Sequence, residues 1–340
     1  MRASASQLAA FVLAASCLHA ATPADFRQKV GVYVWGALPG GLAAAAEDAR
    51  RLGATQAVRV YIGPGAWWDP SDPGDNSPLD VKVRRADYRE FLAAFPVVML
   101  TAYDVASFGR YKAARVDAAR LAATTDEFRR FTLELARMPG RKIIANWEFE
   151  NDCLAGNWPG CIEYYQARLD GIARGRAEAK ALGYPGEIVS AFEFTVVPKF
   201  EGKPSGMVEA GPKLKGVDVW SYSSWHSVGA NFDPATMRKS FEWALVLIRE
   251  FAAQARLTRR VIIGELGEYW DQHPSGERLR EAADASLDQG VEYVFNWVLY
   301  EQPGRKDEWG RDASHFGKYA QDRTLTPQGM AFRRWFGRTQ

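Results

Sequence analysis

Two stretches of this chain end an apolar, strand-like run in a glutamate. In Val261-Ile262-Ile263-Gly264-Glu265-Leu266-Gly267-Glu268-Tyr269-Trp270 the run stops at Gly264-Glu265, and in Lys142-Ile143-Ile144-Ala145-Asn146-Trp147-Glu148 it stops at Glu148. Short continuous apolar runs read as strands buried on both faces, so each glutamate is carried to the open end of a buried strand. Two carboxyl groups brought together across one cleft can divide the work of breaking an acetal. One, ionised, attacks the anomeric carbon, and the other, protonated, donates to the leaving oxygen. Glycosidic bond cleavage is therefore the chemistry these two positions suggest.

The elements that must bring them together are read from the alternation of strand-like and helix-like patterns, which predicts a parallel sheet with helical crossovers. Eight strands are predicted, at Val30–Trp35, Ala57–Ile62, Val97–Ala102, Lys142–Glu148, Ile188–Thr195, Val217–Tyr222, Arg260–Glu265 and Val291–Val298. Helical patterns run over Leu42–Leu52 with Gly53 as the stop, Arg84–Phe95, Asp126–Met138, Ile162–Leu182, Thr236–Ala255, Gly276–Gln289 and Thr326–Phe336. The crossover Pro198–Gly216 is rich in Gly and Pro and predicts no helix. The α/β class follows, as a single-domain closed (β/α)8 TIM barrel over residues 21–340. A doubly wound sheet would need a phosphate-binding glycine fingerprint after the first strand, and none is there. The irregular stretch Gly63–Pro78, with Trp67 and Trp68, is long enough to carry function.

In such a barrel the strand C-termini share one face. Reading them off gives Trp35, Arg59, Tyr103 with Asp104, Glu148, Glu193, Tyr222 with Trp225 and His226, Glu265, and Asn296 with Trp297. Acids for chemistry, flat rings for the apolar faces of pyranoses and planar polar groups for hydroxyls are what a sugar site needs. Trp35, Arg59, Asn146, Glu193, Tyr222, Trp225, His226 and Trp297 are the expected substrate-binding set. Each also has a plainer reading: Glu265 as a helix cap or the ion-pair partner of a buried Arg59, Tyr222 as a core tyrosine, the tryptophans as packing, and Glu193 and Asp104 as supporting groups.

These residues resemble the clan A (β/α)8 retaining glycoside hydrolases, which place an acid/base glutamate after the fourth strand and a nucleophilic glutamate after the seventh. Ile262-Ile263-Gly264-Glu265-Leu266-Gly267 is similar to the seventh-strand motif and Val58-Arg59-Val60 to the second-strand arginine. The resemblance puts Tyr222 where the clan has a sixth-strand tyrosine directed at the nucleophile, and Trp297 where it has a tryptophan under the sugar. The fourth strand departs: the clan ordinarily ends it Asn-Glu, whereas here Trp147 precedes Glu148, Asn146 lies one place earlier and Glu150 precedes Asn151. The Asn-Trp-Glu-x-acid-Asn pattern also resembles secreted glycosidase-like barrel proteins. Alternation along a strand would send Glu148 the same way as Asn146, which favours Glu148 as acid/base with Glu150 as the alternative. The resemblance implies double displacement, with the carboxyl groups of Glu265 and Glu148 about 5 to 5.5 Å apart. The other reading is a catalytically silent barrel that binds saccharides through an aromatic-lined cleft.

Residues Leu8–Ala20, apolar behind Arg2 and followed by small residues, read as a signal peptide over residues 1–20, so a secreted or periplasmic protein is expected. Of 43 basic and 41 acidic residues only Arg2 lies in that leader, which leaves the mature chain one charge positive and gives no field for nucleic acid. No membrane contact is expected once the leader is removed. Of three cysteines Cys17 leaves with the leader, and Cys153 and Cys161 are expected to pair. His226, His273 and His315 show no metal-binding spacing, and no GxSxG elbow is present. The expectation is a cofactor-free, metal-free monomer acting on a carbohydrate.

Overall fold

The computed structural model describes residues 22–64, 74–106, 115–153, 157–199, 202–229, 231–268, 276–306 and 315–337. The leader, Trp67, Trp68 and His273 lie outside the described residues. Eight parallel strands, β1 (Val30–Val34), β2 (Ala57–Ile62), β3 (Val97–Ala102), β4 (Arg141–Ala145), β5 (Glu187–Phe194), β6 (Val219–Ser223), β7 (Val261–Leu266) and β8 (Val294–Asn296), close into one ring in sequence order. This is the (β/α)8 barrel expected.

Among the helices, α1 (Pro23–Lys29), α2 (Gly41–Leu52), α3 (Leu79–Lys82), α4 (Ala86–Ala93), α5 (Ala118–Ala136), α6 (Phe149–Asp152) and α7 (Trp158–Ala181) precede β5. The short α8 (Gly206–Ala210) interrupts the crossover predicted to lack a helix, and α9 (Pro234–Gln254), α10 (Glu277–Asp288) and α11 (Pro327–Trp335) follow. Gly53 ends α2 in the left-handed conformation, as predicted (φ 113°). The third long helix begins earlier than predicted, at Ala118, because the Asp117 side chain accepts from the Arg120 N–H at 2.9 Å and caps it there. The unpredicted α1 opens on a Thr22/Asp25 capping box. Its Phe26 packs edge-on against Trp335 and Phe336, tying the chain start to α11.

Alternation sorts the strand residues into two layers. Ala57, Val97, Met99, Ile143, Ala145, Val189, Ala191, Val219, Ile262 and Phe295 form a separate apolar cluster that fills the ring from inside. Their neighbours in sequence, such as Val58, Val98, Ile144, Phe192, Trp220 and Ile263, belong to the larger core under the helices. Continuing the inner rows toward the strand C-termini gives Tyr33, Arg59, Thr101, Glu193 and Ser221. The interior thus changes from aliphatic to charged as it approaches the mouth.

Candidate active site

Regular alternation from Ile262 would put Gly264 inside the ring and Glu265 outside. The chain avoids this with an extra residue in β7. Tyr222 pairs with Ile263 but Ser223 pairs with Glu265, and on the other side Ile263 pairs with Val294 but Leu266 with Asn296. Such a bulge re-aims the side chain that follows it, so Gly264 and Glu265 both serve the interior. Gly264 has to be glycine, since a Cβ there would lie 1.9 Å from Glu193 Oε2 and 2.2 Å from Ser221 Oγ. Gly267 makes equivalent room for Trp225, whose ring would sit 2.6 Å from a Cβ at that position. The Gly-Glu-Leu-Gly motif is therefore a bulge with two clearances.

Glu265 is 2 % exposed. Trp225 Nε1 donates to Oε2 at 3.0 Å, Arg59 Nη1 stands 3.6 Å from Oε1, and Oε1 has no hydrogen-bond partner among the described residues. Ser224 Oγ donates to the Glu265 carbonyl at 2.7 Å, which fixes the backbone as well. Arg59 itself is fully buried and doubly bonded to Glu193, with Nη1–Oε2 and Nη2–Oε1 both at 2.8 Å. Thr101 Oγ1 accepts from Nε at 2.9 Å, the Tyr33 ring lies 4.3 Å from the guanidinium carbon, and Ser221 Oγ donates to Glu193 at 2.6 Å.

Glu148 reaches the same place by another route, and the expectation about Asn146 is corrected here. Strand β4 ends at Ala145, and its inner residues are Ile143 and Ala145, so Asn146 falls on the helix-facing side. Its amide pairs with the backbone of Glu193, accepting from the N–H at 2.8 Å and donating to the carbonyl at 2.9 Å. Past the strand end alternation no longer governs direction, and Glu148, the N-cap of α6, turns its carboxyl to Ser223 Oγ and Asn151 Nδ2, both of which donate to it. Burial and then the negative charge of Glu265 push this carboxyl well above the usual carboxylate range. Asp152 anchors the short helix by accepting from Tyr103 and Tyr165, each at 2.7 Å, and Tyr103 Oη also accepts from the Trp147 N–H at 2.9 Å. The Cys153–Cys161 disulfide, with a Cα–Cα distance of 6.2 Å, then joins the end of α6 to α7.

Further expectations change. Glu150 is occupied elsewhere, its carboxylate accepting from the N–H groups of Thr195 (2.9 Å), Val196 (3.2 Å) and Gly206 (2.7 Å). Tyr222 is one residue out of phase with inward Ser221 and Ser223. Its hydroxyl pairs with Ser227 at 2.8 Å and its ring stacks on Phe194, so the donor to Glu265 is Trp225 rather than Tyr222. Glu193 is fully buried, its carboxylate taken up by Arg59 and Ser221. Asp104 likewise accepts from Thr124 and Tyr164 inside the fold, and Asn296, on the outer side of β8, is buried.

Trp35 and Trp297 do meet, with ring centroids 5.0 Å apart, and Trp225 stands edge-on to Trp297 at 6.5 Å. The Arg305 guanidinium lies over both members of the first pair, 4.2 Å from Trp35 and 5.1 Å from Trp297, so this wall offers a cation on two indoles rather than open faces. His226 is half-buried with Nδ1 on Thr195 at 3.1 Å. The sequence alone does not single out Ser221, Ser223, Thr101 or Asn151, which bond to Glu193, Glu148, Arg59 and Glu148 respectively. The two serines flanking Tyr222 were the available signal, since only one of the two rows of β6 can face inward.

Fold and site together define a (β/α)8 barrel with one buried glutamate at the end of its seventh strand and another just beyond its fourth. Among solved structures the chain is similar to a GH5_18 protein from Bifidobacterium longum subsp. infantis, at 14% identity over 91% of this chain and 79% of that one, with a TM-score of 0.58. An exo-beta-1,4-mannosidase from Opitutaceae bacterium strain TAV5 is similar at 16% identity over 91% and 59% of the two chains, with a TM-score of 0.59. A GH5_18 variant from Streptomyces cattleya in complex with Manb1-4GlcNAc is similar at 16% identity over 91% and 80%, with a TM-score of 0.58. At these identities the likeness is one of fold. No protein-family model and no curated protein matches the sequence.

Proposed function

We propose that the protein is a retaining glycoside hydrolase in which Glu265 is the nucleophile and Glu148 the acid/base. The observation that carries this reading is the contrast between the two carboxyl groups. Glu265 is oriented by Trp225 through one oxygen, with a guanidinium nearby and the second oxygen unbonded. Glu148, buried without a cation bonded to it among the described residues, is pushed toward its protonated form. In the first step Glu265 Oε1 bonds to the anomeric carbon as Glu148 gives its proton to the departing oxygen. In the second, Glu148 takes a proton from water, which displaces Glu265 and releases the sugar.

The solved relatives named for mannosidase activity or seen with Manb1-4GlcNAc make aryl β-mannosides and Manb1-4GlcNAc the first compounds to assay. Export belongs to the proposal too. The leader-like residues 1–20 and the Cys153–Cys161 disulfide support it, and no helix among the described residues is long and apolar enough to cross a membrane.

A panel of aryl glycosides and oligosaccharides tests the reading, run on the wild type and on Glu265→Ala. Turnover that the substitution abolishes is expected, and full activity in Glu265→Ala would end the proposal. A second reading, a barrel that binds saccharides without turnover, draws on the fourth strand, where Asn146 faces the helices and Trp147, 36% exposed, stands before Glu148. Binding without hydrolysis across the panel would favour it.

A further inference from the structure

Past the end of β4 the chain turns a tryptophan to solvent directly before Glu148. Trp147 is 36 % exposed, whereas Trp35, Tyr103 and Trp297, the rings just beyond β1, β3 and β8, are buried. Trp297 packs on Trp35 and Trp225, and Tyr103 stacks on Tyr61. Among the described residues no ring, cation or hydrogen-bond partner covers the Trp147 indole. Its backbone is held on both sides. The N–H donates to Tyr103 Oη at 2.9 Å, and the carbonyl accepts from the Asn146 amide. Asn146 is bonded in turn to the Glu193 backbone across the gap to β5, and Tyr103 to Asp152 in α6. An open ring thus stands on a fixed stem.

A single exposed indole is ordinary on a protein surface. This one is set apart by its rigid backbone and by its neighbour. One residue on, about 3.8 Å along the chain, Glu148 turns its carboxyl to Ser223 and Asn151. An acid that protonates a departing oxygen stands on the leaving-group side of the bond, so an open ring beside it can take up that half of the substrate. The face of an indole suits the apolar face of a pyranose, and a ring already fixed by its backbone loses little freedom on binding. We propose that Trp147 is the platform for the leaving group, so that bonds whose departing half is a sugar or aryl ring are favoured over those whose departing half is small. The inference deepens the glycosidase reading and rests on it for which half of the substrate lies there.

The test separates the ring from the acid beside it. Dinitrophenyl β-mannoside and β-mannosyl fluoride share a glycone and both lose their leaving group without a proton, but only the first leaving group has a ring to stack. If the panel selects another glycone, its own dinitrophenyl glycoside and fluoride replace them. In Trp147→Ala, kcat/KM is expected to fall about tenfold on the dinitrophenyl glycoside, the size of one lost ring stack, and to stay within about twofold on the fluoride. Trp147→Tyr, which keeps a flat face, should recover most of the loss. An equal fall on both compounds, or no fall on either, overturns the proposal. A loss confined to Manb1-4GlcNAc, whose departing oxygen needs the proton, would show that the substitution only disturbs Glu148, and contradicts it too. A binding arm needs no turnover. Titration of Manb1-4GlcNAc into Glu265→Ala, with and without Trp147→Ala added, is expected to give a Kd about tenfold higher in the double variant. An unchanged Kd, or no binding by any oligosaccharide of the panel, overturns the proposal. A wild type that hydrolyses nothing ends the glycosidase reading and leaves this arm to judge the ring.

Discussion

Glu265 and Glu148 come close enough for the charge of one to act on the other, yet the barrel delivers them by opposite means. Glu265 stays within the sheet: an extra residue in β7 turns it inward, and its restraints come from neighbouring strands and the turn after β6. Glu148 lies beyond its strand, at the head of a four-residue helix pinned by Asp152, Tyr103 and Tyr165 and tethered by a disulfide. The sheet-borne group is set by backbone register, with an arginine close by. The helix-borne group is set by side chains, held by a hydroxyl and an amide without a bonded cation among the described residues. A nucleophile must be ionised and fixed, and an acid must keep its proton and exchange it with water. The two kinds of support match those two demands.

The sharpest way to break this comparison is to remove each acid in turn. Glu265→Ala is expected to cut kcat on the order of 10^4-fold or more, and Glu148→Ala by roughly 10^2 to 10^4-fold on poor leaving groups, with much less loss on an activated aryl leaving group that needs no proton. Azide should rescue both with different stereochemistry. In Glu265→Ala it attacks the substrate directly and gives a glycosyl azide of inverted configuration, and in Glu148→Ala it intercepts the glycosyl-enzyme and retains configuration. The same configuration from both variants would show that the roles are not divided as the geometry implies. Next in size, Trp225→Phe deletes the N–H donor to Glu265 and should lower kcat about tenfold, measured on the same aryl glycoside.

The Glu148 side is sharpened by stability measurements. Reducing the Cys153–Cys161 disulfide should cost about 2.5 kcal/mol in the chain-entropy view, read as a lower denaturation midpoint. Glu150→Gln, which weakens three buried backbone bonds, should cost roughly 1 to 3 kcal/mol while activity per folded molecule stays within about twofold; a large loss of kcat would return Glu150 to consideration as the acid. Tyr222→Phe, which loses only the bond to Ser227, is expected to cost about 1 kcal/mol and leave kcat unchanged.

The scaffold was more legible in the sequence than the site. Strands β2 and β3 fall where their apolar runs begin and end, Ala57–Ile62 and Val97–Ala102, because turn residues bound them on both sides. The long helices show in the apolar periodicity, although α5 starts earlier than its pattern because the Asp117 cap sets its start, and α7 starts earlier with Pro159 in its first turn. Direction at the strand ends was harder. Alternation sends Asn146 and Glu148 to one side, but the strand stops at Ala145 and the rule stops with it. The resemblance puts Tyr222 in the cleft, whereas the row containing Ser221 and Ser223 holds that side. The bulge that turns Glu265 inward leaves no mark in composition except Gly264. Neither the pairing of Arg59 with Glu193 nor the clearance that permits it is local, since those residues lie on β2, β5 and β7 and meet only when the ring closes.

The division of roles is tested most directly by trapping the intermediate. A fluorinated glycoside with an activated leaving group, which slows release of the glycosyl-enzyme more than its formation, is incubated with the wild type, and the modified peptide is identified by mass spectrometry. The expected result is a single sugar adduct on Glu265, with Glu148 and Glu150 unmodified. An adduct on either of those residues, or hydrolysis with inverted configuration and no adduct, would contradict the assignment of Glu265 as the nucleophile.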